Sequence, residues 1–579
     1  MNRTIVNENM QKKTKVTQFI TPFLPVMIFV CSIKFIGSLA ELFLPTLLSV
    51  MVDEIAPAKD VPMMVVYGVI MVICSVIALV GNICANRMAS KIASKITRSV
   101  RHDVYEKTVS LSCGSIDAFT APTLISRLTS DTYNVHNMLL MVQRLGVRAP
   151  ILVVGGVILS AFLDGMLTIV LVSLMPIVFI TVFFISRKGV KLYDKVQQGA
   201  DDMVSMLREH MDGIRVIKAL SKSDYERERF SAINEKINKN DRKAGIITNL
   251  SSPAMSLILN FGLALAILVG AYRVQAGSTE PGVIIAFLSY FTIILNAMMM
   301  INRLFMQLSK GIASAKRLDE VLGSESEPDY VPGDKTDSQY HISFEDVTFS
   351  YLKTRNNLAH LSFGLKKGET LGIIGATGSG KSTIINLLLR FYIPDKGCIR
   401  IDGEDIRSIP RERLYKMFGS ALQTDFLMSD TIYNNIDFMR GVGEENVKAG
   451  AESALADGFI RDKTDGYMHK LDVKAANLSG GQKQRILISR ALASHPDILI
   501  LDDSCGGLDY KTDSLLRANL AKNYADCTKV IVAQRISTVK NADIIIVMDD
   551  GEVVDMGSHQ HLMESCGLYR ETAKAQMEL

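Results

Sequence analysis

Gly375-Ala376-Thr377-Gly378-Ser379-Gly380-Lys381-Ser382-Thr383 decides half of the fold. The apolar run 371–374 leads into it, and the helical pattern of 384–389 leads away from it. A strand, a glycine-rich loop and a helix therefore follow one another. Glycines let backbone N–H groups close around phosphate oxygens, and the helix N-terminus that follows favours their negative charge. Lys381 is placed to reach the β- and γ-phosphates, and the Ser382 hydroxyl to bind magnesium.

A second acidic strand, Ile498–Asp502, ends in a carboxylate, the expected magnesium partner beside a phosphate loop. Between the two lies Leu478-Ser479-Gly480-Gly481-Gln482, followed by Lys483-Gln484-Arg485 and a helical run. Two glycines and a serine again precede a helix N-terminus, a second phosphate cradle. One chain has no use for two cradles on one γ-phosphate, which suggests nucleotide shared between two chains. Residues 324–337, rich in Ser, Asp, Glu, Pro and Gly, read as a linker, and the strand–helix alternation after them predicts an α/β domain.

The other half is of a different kind. The 579 residues exceed one domain, and almost every long apolar run lies before residue 305. Six stretches reach or approach the ~20 apolar residues a membrane helix needs: 19–52, 63–84, 149–163, 166–186, 253–272 and 283–301. Pro22, Pro25 and Pro45 predict bends in the first, and 139–148 extends the third. The connections rich in Lys and Arg are the N-terminus, 87–127 and 187–243, which places both termini and the two long loops in the cytoplasm. Those loops are helical in pattern and lack proline over 87–111 and 191–243, so the membrane helices are expected to run far into the cytoplasm. The natural break points are 114–122 and Asp212–Gly213. The short stretch before the first span is expected to leave no room for a cleavable leader or an accessory domain.

Composition excludes several classes. A net charge of +4 gives no case for nucleic-acid binding. Eight cysteines without a Cys-x-x-Cys pair are neither a disulfide framework nor a zinc ribbon. Lys34 and Glu41, two helical turns apart in the first span, read either as a substrate or proton contact or as a structural pair or head-group-level residues. Met298–Met300 reads as packing or as the lining of an adaptable apolar cavity.

With the motifs in this order and spacing, the whole chain resembles the ATP-binding cassette (ABC) exporters, as a half-transporter that dimerises. The implied fold is an α-helical six-span transmembrane domain with long cytoplasmic helical extensions, fused to an α/β P-loop ATP-binding cassette. The boundaries expected are a cytoplasmic segment over 1–16, the membrane domain over 17–321, a linker over 322–340 and the nucleotide-binding domain over 341–579. The resemblance implies roles residue by residue. Tyr351 matches the aromatic that stacks on adenine, and Gly375, Gly378, Gly380, Lys381, Ser382 and Thr383 hold ATP. Ser382, Gln423 and Asp502 hold Mg2+. Leu478, Ser479, Gly480, Gly481 and Gln482 match the signature that meets the partner's ATP, and Asp509 matches the aspartate that communicates across the dimer. Residues 124–131 and 209–220 resemble the two cytoplasmic turns that couple to the nucleotide domains.

Two departures fall in one catalytic site. Asp503 stands where the family has a glutamate base, and Gln534 where it has a switch histidine. Asp is one methylene shorter, which sets the carboxylate back ~1.5 Å, and misplacement on that scale costs on the order of 100-fold. Gln cannot carry a proton as His can, and lost acid–base help costs ~10² to 10⁴. Ser504-Cys505-Gly506-Gly507 also departs from the family's pattern, and 473–476 lacks its usual glutamate and glycine. The signature is intact. The expected function is one subunit of a heterodimeric ATP-driven exporter in the cytoplasmic membrane, moving a hydrophobic or amphipathic, drug- or lipid-like substrate. Its own site would bind ATP and hydrolyse it slowly, while its signature completes a competent partner's site. The alternatives are a siderophore-type importer with the same fold, an ATP-binding regulatory subunit, and a homodimer with slow turnover.

Overall fold

The computed structural model describes residues 15–327, 333, 335–423, 426–504 and 506–577. Most of the 1–16 segment, the middle of the linker and Cys505 lie outside the described residues. The chain forms two compact units: residues up to 109 together with 120–324, and 110–119 together with 325 onward.

The first unit holds, among the described residues, six helices long and apolar enough to cross a membrane: Val16–Ile55, Val61–Val109, Ala121–Leu163, Gly165–Ala219, Ser223–Gln275 and Pro281–Leu322. At 55 residues, the fourth is about 80 Å long against a hydrocarbon core of about 30 Å, so most of it extends beyond a bilayer. Tyr290 of the sixth span donates its hydroxyl to the Leu42 carbonyl at 2.6 Å, in the turn before Pro45. A neighbouring helix thus supplies a polar partner where proline disturbs the ladder. Leu42, Leu152, Leu167, Phe287, Tyr290, Phe291 and Ile294 build the core around it.

Of the two expected break points, 114–122 holds and Asp212–Gly213 does not, and both stretches likened to the coupling turns need correction. Residues 124–131 are helical, within Ala121–Ser126 and the π-helical turn Arg127–Asp131, and the reversal lies upstream around the short helix Cys113–Phe119. Asp212 and Gly213 sit inside an unbroken helix, and the second reversal falls at residues 220–222. Gly213 is tolerated within that helix, whereas the turn uses Ser221 at φ +52°, with no glycine to mark it. The first reversal ends likewise on Thr120 at φ +62°.

In the second unit, β1 (Ile342–Phe349), β2 (Leu358–Leu365), β4 (Lys396–Ile401) and β5 (Glu404–Asp405) form an antiparallel sheet in the order β2-β1-β4-β5. A second sheet runs β10-β9-β3-β8-β7-β6, from β3 (Thr370–Gly375), β6 (Phe418–Ala421), β7 (Ile498–Asp502), β8 (Thr528–Val532), β9 (Ile544–Asp549) and β10 (Glu552–Gly557). Its inner strands are parallel, and β7 and β8 are buried throughout. Burial on both faces is why they read as continuous apolar runs rather than alternating ones. Helices around Ile432, Ile436, Val447, Ile460 and Ile486 pack a separate core, which also buries Leu478.

Phe344 and Phe363 face each other across β1 and β2, stacked at 4.6 Å between ring centres. Phe344→Ala is expected to destabilise this unit by about 3 to 5 kcal/mol, read as an earlier unfolding midpoint in denaturant. An unchanged midpoint would mean that the pair carries no core energy.

Ser110–Phe119, inside the stretch assigned from sequence to the membrane domain, belongs to the second unit. The Asp117 carboxylate accepts from the Tyr392 hydroxyl. The Glu327 amide donates to the Ser110 carbonyl at 2.9 Å, and Glu327's carboxylate takes Tyr415 at 2.6 Å and Arg411 at 3.1 Å.

Candidate functional site

Strand order brings the motifs together. β3, β8, β7 and β6 are consecutive neighbours, and their carboxyl ends deliver the phosphate loop, Gln534, the Asp502–Asp503 pair and Gln423 respectively. Ligands of open α/β sheets bind at such carboxyl edges. A cavity of about 280 Å³ opens there, lined by Gly378, Gly380, Lys381, Ser382, Thr383, Gln423, Asp502, Asp503 and Gln534, with Asn357, Thr377 and Val532. Gly375 is not among the lining residues, and its carbonyl accepts from the Lys381 ammonium at 2.9 Å.

The loop is held by its glycines. Gly378 and Gly380 take φ of +86° and +100°, where a Cβ is strained, and Gly380 leads directly into the helix Lys381–Leu388. Lys381 folds back to donate to the Gly375 and Ala376 carbonyls, the latter at 2.7 Å. Burial lowers its pKa, opposed by the Asp503 and Asp502 carboxylates. Burial likewise raises the pKa of Asp502, which is 5% exposed, against the hydrogen bond from the Ser382 hydroxyl. Ser382, Gln423 and Asp502 offer oxygen donors only, and a buried carboxylate short of positive charge suits a hard divalent cation.

Asp503 and Gln534 touch. The Gln534 carboxamide donates from Nε2 to Asp503 Oδ2 at 2.7 Å. A carboxylate only accepts, so the amide must present its NH2 side. Asp503 sits at φ +49°, the left-handed region that aspartate tolerates better than most residues, and its amide donates to the Val532 carbonyl at 3.0 Å. Each departure from the family pattern is thus the other's partner.

The remaining site residues lie elsewhere. Tyr351 is outside the cavity lining, edge-on to Phe349 and Tyr392 at 4.8 and 4.9 Å, and its hydroxyl accepts from Asn386 at 3.0 Å. Its amide donates to Asn357, which does line the cavity. The segment from Leu478 to Gln482 is not part of the cavity wall either. Ser479 caps the helix Gly480–Leu492 in a reciprocal box with Gln482, at 3.3 and 3.0 Å. At Gly480 an added Cβ would meet nothing within 4 Å among the described residues. Asp509 caps the helix Tyr510–Asn523, and the Thr512 amide and hydroxyl hold its carboxyl below the usual range.

Sequence reasoning missed the clamp on the switch segment. From the C-terminal helix Gly567–Met577, Gln576 accepts from the Ile536 amide at 2.8 Å and donates to the Gln534 carbonyl at 2.9 Å. Arg517 donates to the Ser537 carbonyl at 2.6 Å. No motif marks a glutamine 42 positions away. With each bond worth about 1 kcal/mol, Gln576→Ala should speed amide exchange over residues 534–538 roughly tenfold. Exchange at the wild-type rate would show that the clamp holds nothing.

Residues 27–298 match the family model described as the ABC transporter transmembrane region, and residues 358–506 match the one described as ABC transporter. An uncharacterized ABC transporter ATP-binding protein of Bacillus subtilis (strain 168), YfiB, is 32% identical, over 93% of this chain and 94% of that one. The ATP-dependent lipid A-core flippase of Methylobacillus flagellatus is 30% identical, over 83% of this chain and 82% of its own. Among solved structures, a bacterial Atm1-family ABC exporter with ATP bound matches with a TM-score of 0.79 at 23% identity, covering 96% of this chain and 98% of its own. With six membrane helices, an α/β cassette and relatives of this length, the chain belongs to the ABC transporters, as an ATP-driven half-transporter of the exporter fold.

Proposed function

We propose that this chain is the weakly hydrolysing half of a heterodimeric exporter in the cytoplasmic membrane, with both termini cytoplasmic. The observation that carries the reading is the Asp503–Gln534 hydrogen bond. The shortened acid is paired with a side chain that cannot take or pass on a proton, so the pair lacks the reach and the proton carrier that water activation calls for. The phosphate loop beside them keeps every feature needed to bind ATP. Ser382, Gln423 and Asp502 would hold Mg2+, which when bound offsets phosphate charge. Lys381 would exchange its two loop carbonyls for phosphate oxygens.

The signature supports the other half of the reading. It presents an open helix N-terminus away from its own cavity, which suits the γ-phosphate of a second chain. A partner with a glutamate and a histidine at the two catalytic positions would then own the productive site. The substrate is hydrophobic or amphipathic, a class that includes the lipid named for the Methylobacillus relative.

The test is to purify the tagged chain from its native host, identify what accompanies it, and measure ATPase activity with and without the companion. A second cassette chain, and turnover only in the pair, is the expected result. Brisk turnover by the chain alone would overturn the reading.

A further inference from the structure

Lys34 is 2% exposed, and its ammonium donates to the neutral Asn86 carboxamide oxygen at 3.0 Å. The one carboxylate within reach is already used. Arg148 donates to both oxygens of Glu41, each at 2.9 Å. Arg144, one turn before Arg148, has no ion-pair or side-chain hydrogen-bond partner among the described residues, and its Nε is buried without one. The charges of Arg148, Arg144 and Glu41 all act on Lys34. The Ser38 hydroxyl, one turn from Lys34 and on the same face, is 0% exposed and has no hydrogen-bond partner among the described residues. Over residues 24–50, 62–98, 134–163, 165–193, 244–275 and 281–318, Glu41 is the only carboxylate in the sequence. Three cations thus share one anion where the apolar spans pass into their extensions, and a buried charge without a partner is costly and marks a ligand or ion path.

Position narrows the ligand. Lys34 lies about 30 Å along its helix from the Ile55 end, and Arg148 about 22 Å from the Leu163 end. Against a hydrocarbon core of about 30 Å, both lie towards the ends of their spans nearer the long helical extensions.

We propose that Lys34, Arg144 and Arg148, with the Ser38 hydroxyl, form the head-group subsite for an anionic amphiphile, a phosphate or carboxylate on an apolar tail, drawn from the bilayer on that side. This rests on the reading of the chain as a transporter of amphipathic molecules, and it adds the sign of the charge. The apolar tail stays among lipid-facing side chains while the head group supplies the missing anion. Glu41 keeps Arg148 extended towards the site and sets a limit on how much negative charge binds.

The test measures binding directly, so it does not depend on which ATP site hydrolyses. The intact complex, in phosphatidylcholine nanodiscs, is titrated calorimetrically with dodecyl phosphate, dodecyltrimethylammonium and inorganic phosphate. Dodecyl phosphate should bind at least about tenfold more tightly than the other two. Lys34→Gln and Arg144→Gln should each weaken it about tenfold, and Lys34→Arg should retain it. Nucleotide binding, unchanged in each variant, verifies folding, and the partly exposed Arg144 covers the case in which a Lys34 variant does not fold. Displacement by phosphatidylglycerol would identify a bilayer lipid as the source of the head group, and no displacement a non-lipid amphiphile. Both outcomes support the subsite. Equal binding of the cationic amphiphile, equal binding of free phosphate, or Arg144→Gln binding as wild type would overturn it. A failed asymmetry of ATP turnover would leave this result untouched.

Discussion

In the proposed heterodimer, Gly480→Asp is expected to cut ATPase activity by about 100-fold or more, the scale seen when one donor to a developing charge is lost. The helix itself should survive. Gly480 is its first residue, a Cβ there meets no atom within 4 Å, and a carboxylate near a helix N-terminus interacts favourably with the dipole. What changes is the sign of the surface offered to a γ-phosphate, from open N–H groups to a negative charge. Because the signature lies outside its own chain's cavity, the loss should appear at the companion's site and leave nucleotide binding by this chain intact. The check is steady-state turnover of the pair together with nucleotide photolabelling of each chain. Undiminished turnover would mean that the signature serves no second site.

The second large effect runs in the other direction. Asp503→Glu combined with Gln534→His should raise hydrolysis at this chain's own site by about 10² to 10⁴. The glutamate recovers the missing reach, and the histidine a group able to move a proton. Either change alone should recover much less. The two side chains are hydrogen-bonded at 2.7 Å, and residues in direct contact do not act additively. Gly480→Asp provides a background in which the companion's site is silent, so single-turnover hydrolysis there reports this site alone. A double variant no faster than wild type in that background would show that some other defect limits the site.

The sequence made legible what depends on local chemistry. The phosphate loop, the aspartate at the end of β7 and the glycine-serine cradle each need particular residues in a particular order, and the six spans need only length and apolarity. The first break falls within the 114–122 stretch that its residues marked, whereas the second was misplaced because Ser221 adopts left-handed backbone without advertising it, while Gly213, an obvious punctuation mark, is absorbed by an unbroken helix. The Asp503–Gln534 contact was hidden for another reason. The two positions were read as separate losses, and only the adjacency of β7 and β8 places them at bonding distance. Gln576 was beyond reach altogether, since a carboxamide that binds backbone atoms leaves no pattern in the residues it holds. The fate of Glu41 could not be settled from its spacing to Lys34, because its partner, Arg148, comes from a different helix.

Ser110–Phe119 has a consequence for the order in which the protein is made. Its ten residues leave the ribosome long before Glu325, the point at which the rest of their unit begins. At 5 to 20 residues per second, that interval is roughly 10 to 40 s. Throughout it, Asp117 waits for Tyr392, and the Ser110 carbonyl for the Glu327 amide. Four membrane spans are inserted in the meantime. The nucleotide unit is therefore discontinuous in the chain, and one part of it is made before the last four membrane spans. Its contacts from Asp117 and Ser110 join residues whose synthesis is separated by those four spans.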